Sequence, residues 1–435
     1  MSSKSLILLR WIMKLLKFAC LLGLLLCVVR VYGQGRVIDD SLYSDALHEV
    51  RLVDVYLPEG YDEDSTRYPV IYFLHGGHSN QNGYPFLIGI LDSLIANEII
   101  QPVIVVKPDG NAGPFESSFY TNSELNGAVE DYITQDLVNY IDNAYRTLAV
   151  RDKRALMGHS MGGVGTMMLG LRHPELYRGW ASHCGRTSLD PDNFWISQIL
   201  AENGGSGPYD PDAGSFTHGA FAMASAYSPN LENPPYFVDF ILDSTGNRVD
   251  SVYAQWLLHY PACNPPLNPG VATQAIYFDC GLQDEVGNYP ANVAFAETLD
   301  ARGLAYEFQS FIGGHVDRLP ERFPISLAFL DSVLQTSSSF ENEEISVAEV
   351  SLFCQNYPNP FNVSTTIQYV LPKTSNVCIS VCDVLGRHVE TLTNGQQNAG
   401  LHSIVWRPNG NASGVYFYHI HAGDYSVAKP CILLK

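Results

Sequence analysis

The sequence predicts an α/β protein: a mostly parallel sheet flanked by helices, followed by a small antiparallel β-sandwich. Three observations predict it. From residue 34 to 335, apolar runs bounded by turn residues alternate with stretches of helical period. Strands interleaved with helices imply parallel strands covered on both faces. From 351 to 435, short runs of strand character recur between turn signals, several alternating with period two, as antiparallel strands do. Between the two, residues 336–350 are polar and acidic, from Thr336 through Glu341, Glu343 and Glu344, which reads as a linker.

In chain order, Val53-Asp54-Val55-Tyr56-Leu57 alternates as a strand. Pro69 to Leu74 is a continuous apolar run ending at His75-Gly76-Gly77, and Pro102 to Lys107 another, ending at Pro108-Asp109-Gly110. Leu87 to Ile95 has helical spacing, and Ile133, Leu137, Ile141 and Tyr145 recur every four residues, an amphipathic helix. Arg154 to Met157 is a short strand, and Met161 to Leu171 a helix rich in small residues. Ala275 to Cys280, Asn292 to Ala301 and Ala305 to Phe311 repeat strand, helix, strand. Residues 186–272, rich in Pro, Gly, Tyr and Phe, break this rhythm and read as an insertion over one end of the sheet. In the last block the strands are Thr365 to Leu371, Val377 to Cys382, His388 to Leu392, His402 to Trp406, Val415 to His421 and Tyr425 to Leu434. Turns at Leu385-Gly386-Arg387, Asn394-Gly395, Asn409-Gly410 and Ala422-Gly423-Asp424 separate them.

The 435 residues, 46% hydrophobic and 16% charged, have a globular composition. Twenty-five basic against 45 acidic side chains leave a net charge of −20. A polyanion binder needs the opposite sign, so nucleic acid is excluded as a partner. Residues 1–33 read as a signal peptide. Lys4, Arg10, Lys14 and Lys17 precede the apolar stretch Phe18 to Val29, and Val31-Tyr32-Gly33 offers a cleavage site before Gln34. An uncleaved anchor is disfavoured because the apolar run is short and Arg30 interrupts it. Lipoprotein processing is disfavoured by the size of Leu26 before Cys27. Of nine cysteines, Cys20 and Cys27 leave with the leader, so an odd number remains. Cys184 and Cys280 sit in apolar, strand-like runs and read as inert buried thiols.

Chemistry concentrates at Gly158-His159-Ser160-Met161-Gly162. A serine on a sharp strand-to-helix turn occupies a strained backbone and needs small neighbours, and the turn exposes its hydroxyl above the sheet. A strand before it and a helix after it supply that context, against the alternative of a structural glycine turn. Serine needs a base, and the base an orienting carboxylate. Asp284 follows the strand ending at Cys280-Gly281, and His315 follows the strand ending at Phe311. Both then lie at the strand edge where Ser160 emerges. The rivals for the carboxylate are Glu285 and Asp279, while Asp317 is expected to start the last helix. The alternative is that Asp284 caps the following helix and His315 is an ordinary loop histidine. Two N–H donors should face the developing oxyanion: that of Met161, and that of Gly77, with Gly76 as the near alternative. His75, His78, His159 and His183 could be drawn into a zinc site. They sit on glycine turns without an H-E-x-x-H, so hydrogen-bonded structural histidines are expected, with no metal and no cofactor.

Several segments make residues 50–335 resemble the esterase branch of the α/β-hydrolases that holds esterase D, feruloyl and acetylxylan esterases, enterochelin esterases and mycolyltransferases. They are Val55-Tyr56-Leu57-Pro58 with Gly60-Tyr61, Tyr68 through Gly76, Gly158 through Gly163, Gly281-Leu282-Gln283-Asp284-Glu285 and Gly313-Gly314-His315. The resemblance implies an α/β-hydrolase fold with Ser160, Asp284 and His315 as catalytic triad. Residues 186–272 match no pattern of that family. Residues 355–435 resemble the C-terminal sorting domain of the type IX secretion system. This rests on Asn356-Tyr357-Pro358-Asn359-Pro360-Phe361-Asn362, Asp383-Val384-Leu385-Gly386-Arg387 and Ala412-Ser413-Gly414-Val415-Tyr416. That resemblance implies a bacterial protein that meets the type IX machinery in the periplasm and ends secreted or on the outer surface. Lys429-Pro430-Cys431 departs from the usual basic final strand.

The expected function is a secreted serine esterase acting on small-molecule or polysaccharide esters. The competing readings are an acyltransferase with the same triad and a non-catalytic carbohydrate-binding protein on a hydrolase fold.

Overall fold

Successive side chains of a strand point to opposite faces, and the apolar runs after Pro69 and Pro102 use both. In the computed structural model, Ile71, Phe73, Val105 and Met157 enter one core, and Val70, Tyr72, Leu74, Val106 and Leu156 the other. It describes residues 35–63, 65–189, 194–260, 269–335, 353–357, 361–371, 374–384, 387–398, 400–408, 410–423 and 425–433. The expected leader (1–33) and linker (336–350) lie outside them. Among the described residues, no helix is long and apolar enough to cross a membrane.

The first unit is built on strands β1 (Arg36–Ser44), β2 (Glu49–Leu57), β3 (Val70–Leu74), β4 (Ile104–Pro108), the two-residue pair β5 (Asn122–Ser123) and β6 (Gly127–Ala128), β7 (Arg154–His159), β8 (Gly179–His183), β9 (Ala275–Gly281) and β10 (Glu307–Phe311). Eight of them form one sheet in the order β1-β2-β4-β3-β7-β8-β9-β10. From β4 to β10 the neighbours are parallel, and β1 and β2 add an antiparallel edge. The helices are α1 (Phe86–Ala96), α2 (Val138–Ala144), α3 (Met161–Arg172), α4 (Phe194–Glu202), α5 (Ser215–Tyr227), α6 (Asp250–Leu257), α7 (Tyr289–Asp300) and α8 (Leu319–Gln335). Leu87 and Leu91 of α1 and Phe323 and Leu327 of α8 cover one face. Leu169 of α3 and Phe295 of α7 cover the other.

Two strands of the eight-stranded sheet escaped the hydrophobic pattern. β1 is a polar edge. β8 reads Gly-Trp-Ala-Ser-His yet is fully buried, because its serine and histidine are satisfied internally: Ser182 Oγ donates to Gly163 O at 3.1 Å, and His183 Nδ1 lies 2.9 Å from Asp279 Oδ1. The apolar positions spaced every four residues drift past the 3.6 residues of an α-helical turn. The chain absorbs the drift in a wider π-type turn, Tyr132–Leu137, ahead of α2. Ile133, Leu137 and Ile141 are thereby all buried. The insertion holds α4, α5 and α6 around a core of its own, including Ile199, Phe221, Met223, Trp256 and Tyr260.

The C-terminal unit comprises β11 (Phe353–Tyr357), β12 (Thr365–Leu371), β13 (Ser375–Asp383), β14 (His388–Gln397), β15 (Gly400–Trp406), β16 (Gly414–Ala422) and β17 (Tyr425–Leu433). Sheets β11-β12-β15 and β14-β13-β16-β17 share a core that includes Ile367, Ile379, Trp406 and Ile420. The Asn394-Gly395 pair is not a turn: it lies inside β14, opposite Cys378 and Val377, beyond a register shift at Ile379/Ser380. A bulge lengthens the hairpin past that turn signal. Pro430 falls in β17, an edge strand, where a missing N–H is tolerated.

Phe73 is buried, with its ring 5.0 Å from Tyr84 and 5.5 Å from Phe323. Phe73→Ala is expected to cost about 3–5 kcal/mol, read as a lower denaturation midpoint for the sheet unit.

Candidate active site

Ser160 sits between β7 and α3 with φ 57° and ψ −119°, a backbone region that costs of order 1–3 kcal/mol outside glycine. The turn holds because its surroundings fix it. Ser160 N–H donates to His183 O at 2.9 Å, and Val164 N–H donates to Ser160 O at 2.9 Å. A methyl group at Gly158 would meet the Gly162 carbonyl, and one at Gly162 the Leu74 carbonyl. Glycine is required at both for close approach, not for flexibility.

The structure brings together residues far apart in sequence. His315 Nε2 lies 2.8 Å from Ser160 Oγ, and His315 Nδ1 lies 2.8 Å from Asp284 Oδ2. The loops carrying Asp284 and His315 are tied to each other. Leu282 N–H donates to Phe311 O at 2.8 Å, and Gln283 N–H to Gly313 O at 3.0 Å. Asp284 does not cap a helix: its Oδ1 accepts the Val286 N–H at 2.9 Å, and α7 starts after Asn288. Glu285 Oε2 instead accepts the backbone N–H of His315 at 2.9 Å. Asp317 does not start α8, which begins at Leu319; its carboxylate turns back to accept the Gly314 N–H at 2.7 Å. Both carboxylates thus order the His315 loop.

Burial pushes the Asp284 carboxyl up, but the hydrogen bond and charge of His315, with smaller help from Cys280 and Val286, hold it below the usual range. Burial likewise disfavours charge on His315, yet Asp284 and Cys184 raise it above an ordinary histidine. The carboxylate and the imidazole stabilise one another's charged forms.

Asp279, the other rival, belongs to a second set. Its Oδ1 accepts from His183 Nδ1 at 2.9 Å, and His183 Nε2 lies 2.8 Å from Ser326 Oγ. Arg322 Nε and Tyr277 Oη donate to Asp279 Oδ2, each at 2.9 Å. This Ser-His-Asp group is fully buried and reaches no substrate. It braces the ends of β8 and β9, and the His183 carbonyl holds Ser160.

Sequence reasoning missed a further chain. Gly76 N–H donates to Tyr84 Oη at 3.1 Å, and Tyr84 Oη donates to His159 Nδ1 at 2.8 Å. His159 Nε2 donates to the His315 carbonyl at 2.9 Å. Burial and the neighbouring His315 push His159 down to about 3, so it stays neutral and holds that tautomer. Gly76 N–H is thereby engaged, whereas Gly77 and Met161 line the cavity at Ser160. His75 is also a structural histidine, donating from Nδ1 to Gly76 O and accepting from Gly110 N–H at Nε2, each at 2.8 Å. The His78 ring lies tilted beside that of His218, ring centroids 5.1 Å apart.

That cavity, about 940 Å³ including its space open to solvent, is lined by Ser160 and His315 on the sheet side. Trp195 of α4 and Phe216 and His218 of α5 line it on the insertion side. Arg186 also faces it; Nη1 donates to Asn288 Oδ1 at 3.2 Å and the guanidinium lies 5.0 Å from the Trp195 ring. The segment without a family pattern therefore supplies the aromatic wall.

Comparison with known proteins identifies similar families and folds. Residues 44–319 match the family model described as "Putative esterase", and residues 355–433 match that of the secretion system C-terminal sorting domain. An endo-1,4-beta-xylanase/feruloyl esterase of Xylanibacter ruminicola is 32% identical over 167 residues, covering 36% of this chain and 22% of that protein. Esterase Rv1288 of Mycobacterium tuberculosis is 28% identical over 288 residues, covering 66% of this chain and 57% of that protein. The chain thus spans less than two thirds of the length of these relatives. A solved ferulic acid esterase superposes with a TM-score of 0.51 at 20% identity, over 69% of this chain and 99% of that one, a likeness of fold. Matched by that first model over more than half of its length, the chain belongs to the esterase family of α/β-hydrolases.

Proposed function

We propose that the protein is an exported serine esterase that hydrolyses carboxylic esters through an acyl-enzyme on Ser160. The observation that carries it is one imidazole, His315, within 2.8 Å of both a strained serine hydroxyl and a buried carboxylate. His315 Nε2 takes the Ser160 proton as Oγ attacks the ester carbonyl. Asp284 fixes the tautomer and stabilises the imidazolium. The N–H groups of Met161 and Gly77 receive the oxyanion. Collapse expels the alcohol, which leaves with the proton from His315. Water, deprotonated by the same imidazole, then releases the acid and restores Ser160.

The aromatic wall of Trp195 and Phe216 suits apolar or aromatic acyl groups, and a cavity open to solvent leaves room for an acyl group carried on a polysaccharide. In this reading residues 34–335 are the esterase domain with 186–272 as its cap, 336–350 the linker, and 351–435 the sorting domain. The last domain hands the protein to the type IX machinery after a leader at 1–33 has taken it to the periplasm, and the protein ends secreted or at the outer surface. A panel of acetyl, feruloyl and short-chain esters on the purified protein tests the reading: turnover of at least one, releasing free acid even with a sugar acceptor present, supports it. Transfer of the acyl group to the sugar makes it an acyltransferase instead, and no turnover of any ester removes it.

The raised pKa of His315 sets a pH dependence. A base must be unprotonated to act, so activity falls as pH drops through that raised value. The acid limb of kcat/KM is expected above the ordinary histidine range of about 6.5. Asp284→Asn should move the residual limb downward, measured by pH-rate profiles of both proteins.

A further inference from the structure

Cys184 and Cys280 were expected to be inert, yet they lie directly behind the Asp284–His315 contact. β8 and β9 are parallel neighbours with His183 opposite Asp279, so the next residues along, Cys184 and Cys280, are adjacent. Cys184 N–H donates to Asp279 O at 2.8 Å. The reactive atoms of Cys184, Cys280 and Asp284 all lie within 4.8 Å of one another, as do those of His159, Cys184 and His315. Both cysteines are unbridged and buried. Cys280 Sγ–H donates to Asp284 Oδ2 at 3.4 Å. Neighbouring strands stand about 4.8 Å apart, inside the Cα separation of about 4.4–6.8 Å that a disulfide spans.

From this geometry we propose that Cys184 and Cys280 are a redox pair that a peroxide converts to a disulfide, lowering the activity of the adjacent site. The two thiols are unequal. Cys280 gives its proton to the Asp284 carboxylate, and the neighbouring Cys184, its burial and that carboxylate push it up, whereas the proximity of Cys280, then of His315, lowers the Cys184 thiol against its burial. Cys184 is therefore the attacking thiolate. Its sulfur displaces hydroxide from hydrogen peroxide and becomes a sulfenic acid. The Cys280 sulfur attacks that sulfenic sulfur, forming the S–S bond and expelling water. Overall, two thiols and one peroxide give one disulfide and two waters. Peroxide is small enough to reach a buried sulfur where a protein disulfide is not.

The coupling follows from what the same strand ends hold. The residue before Cys184 supplies the carbonyl that anchors Ser160 N–H. Cys280 lies four residues before Asp284 and donates to it. Bond formation draws the sulfurs to about 2.05 Å and removes that donor. Displacement of about 1 Å in a catalytic constellation costs about 10²-fold.

The test treats the full-length reduced protein with hydrogen peroxide, alkylates under denaturing conditions and maps the peptides by mass spectrometry, with ester turnover measured in parallel. A Cys184–Cys280 cross-link, turnover reduced about tenfold or more, and recovery with dithiothreitol are expected. Cys184→Ser and Cys280→Ser should each give a ratio of treated to untreated turnover near one, whatever their own activity. The coupling depends on the esterase reading, whereas the cross-link does not. Free thiols at both positions after treatment overturn the pair. A mapped cross-link with undiminished turnover overturns the coupling. A mapped cross-link in a protein that never turns over an ester upholds the pair and overturns the esterase reading.

Discussion

Ser160→Ala is expected to abolish ester turnover, lowering kcat by about 10⁴–10⁶-fold, with the protein still folded. In the proposed mechanism the hydroxyl is the atom that bonds to the acyl carbon, and it stands 2.8 Å from His315 Nε2. Alanine keeps the Cβ, and its N–H still donates to His183 O, so the turn keeps its anchors. The check is turnover of an activated ester beside a thermal melt. Near-normal turnover would place the chemistry elsewhere.

Asp284→Asn is expected to lower kcat by about 10⁴-fold while changing stability little, since the amide still fills the site. It loses the preference for the His315 tautomer that presents a free Nε2 to Ser160. The same change at Asp279 should act differently. Asp279 is buried against Arg322 and His183, so Asp279→Asn leaves a guanidinium without its charge partner and costs about 3–5 kcal/mol. Paired measurement of kcat/KM and melting temperature separates the two: Asp284→Asn is a rate variant, Asp279→Asn a stability variant. Equal rate losses at equal stability would remove the distinction between the two Ser-His-Asp sets.

The sequence carried the site better than its supports. Gly158-His159-Ser160-Met161-Gly162 is legible because a strained turn admits few residue types, and Asp284 and His315 because each follows an apolar strand. The rivals could not be separated in sequence: Asp279 and Asp284 flank the same strand end, and only the pleat decides that Asp279 points at His183 inside the sheet. His159 reads as a hydrogen-bonded structural histidine, but its link to Tyr84 left no signal, since a hydrogen-bond relay has no period. Cys184 and Cys280 looked like ordinary core residues because their adjacency arises from strand pairing across about a hundred residues, which composition does not encode. β8 was lost for a related reason. Its serine and histidine look like loop residues until Gly163 O and Asp279 are seen to satisfy them.

One measurement tests the central claim most directly: reaction of the folded, full-length protein with a fluorophosphonate, followed by mapping of the adduct. A single adduct on Ser160, lost in His315→Ala, is the expected result, because a serine hydroxyl displaces fluoride from phosphorus at neutral pH when a neighbouring base activates it, and His315 is the base in contact with Ser160. An unlabelled Ser160 in folded protein, or labelling that survives loss of His315, would contradict it.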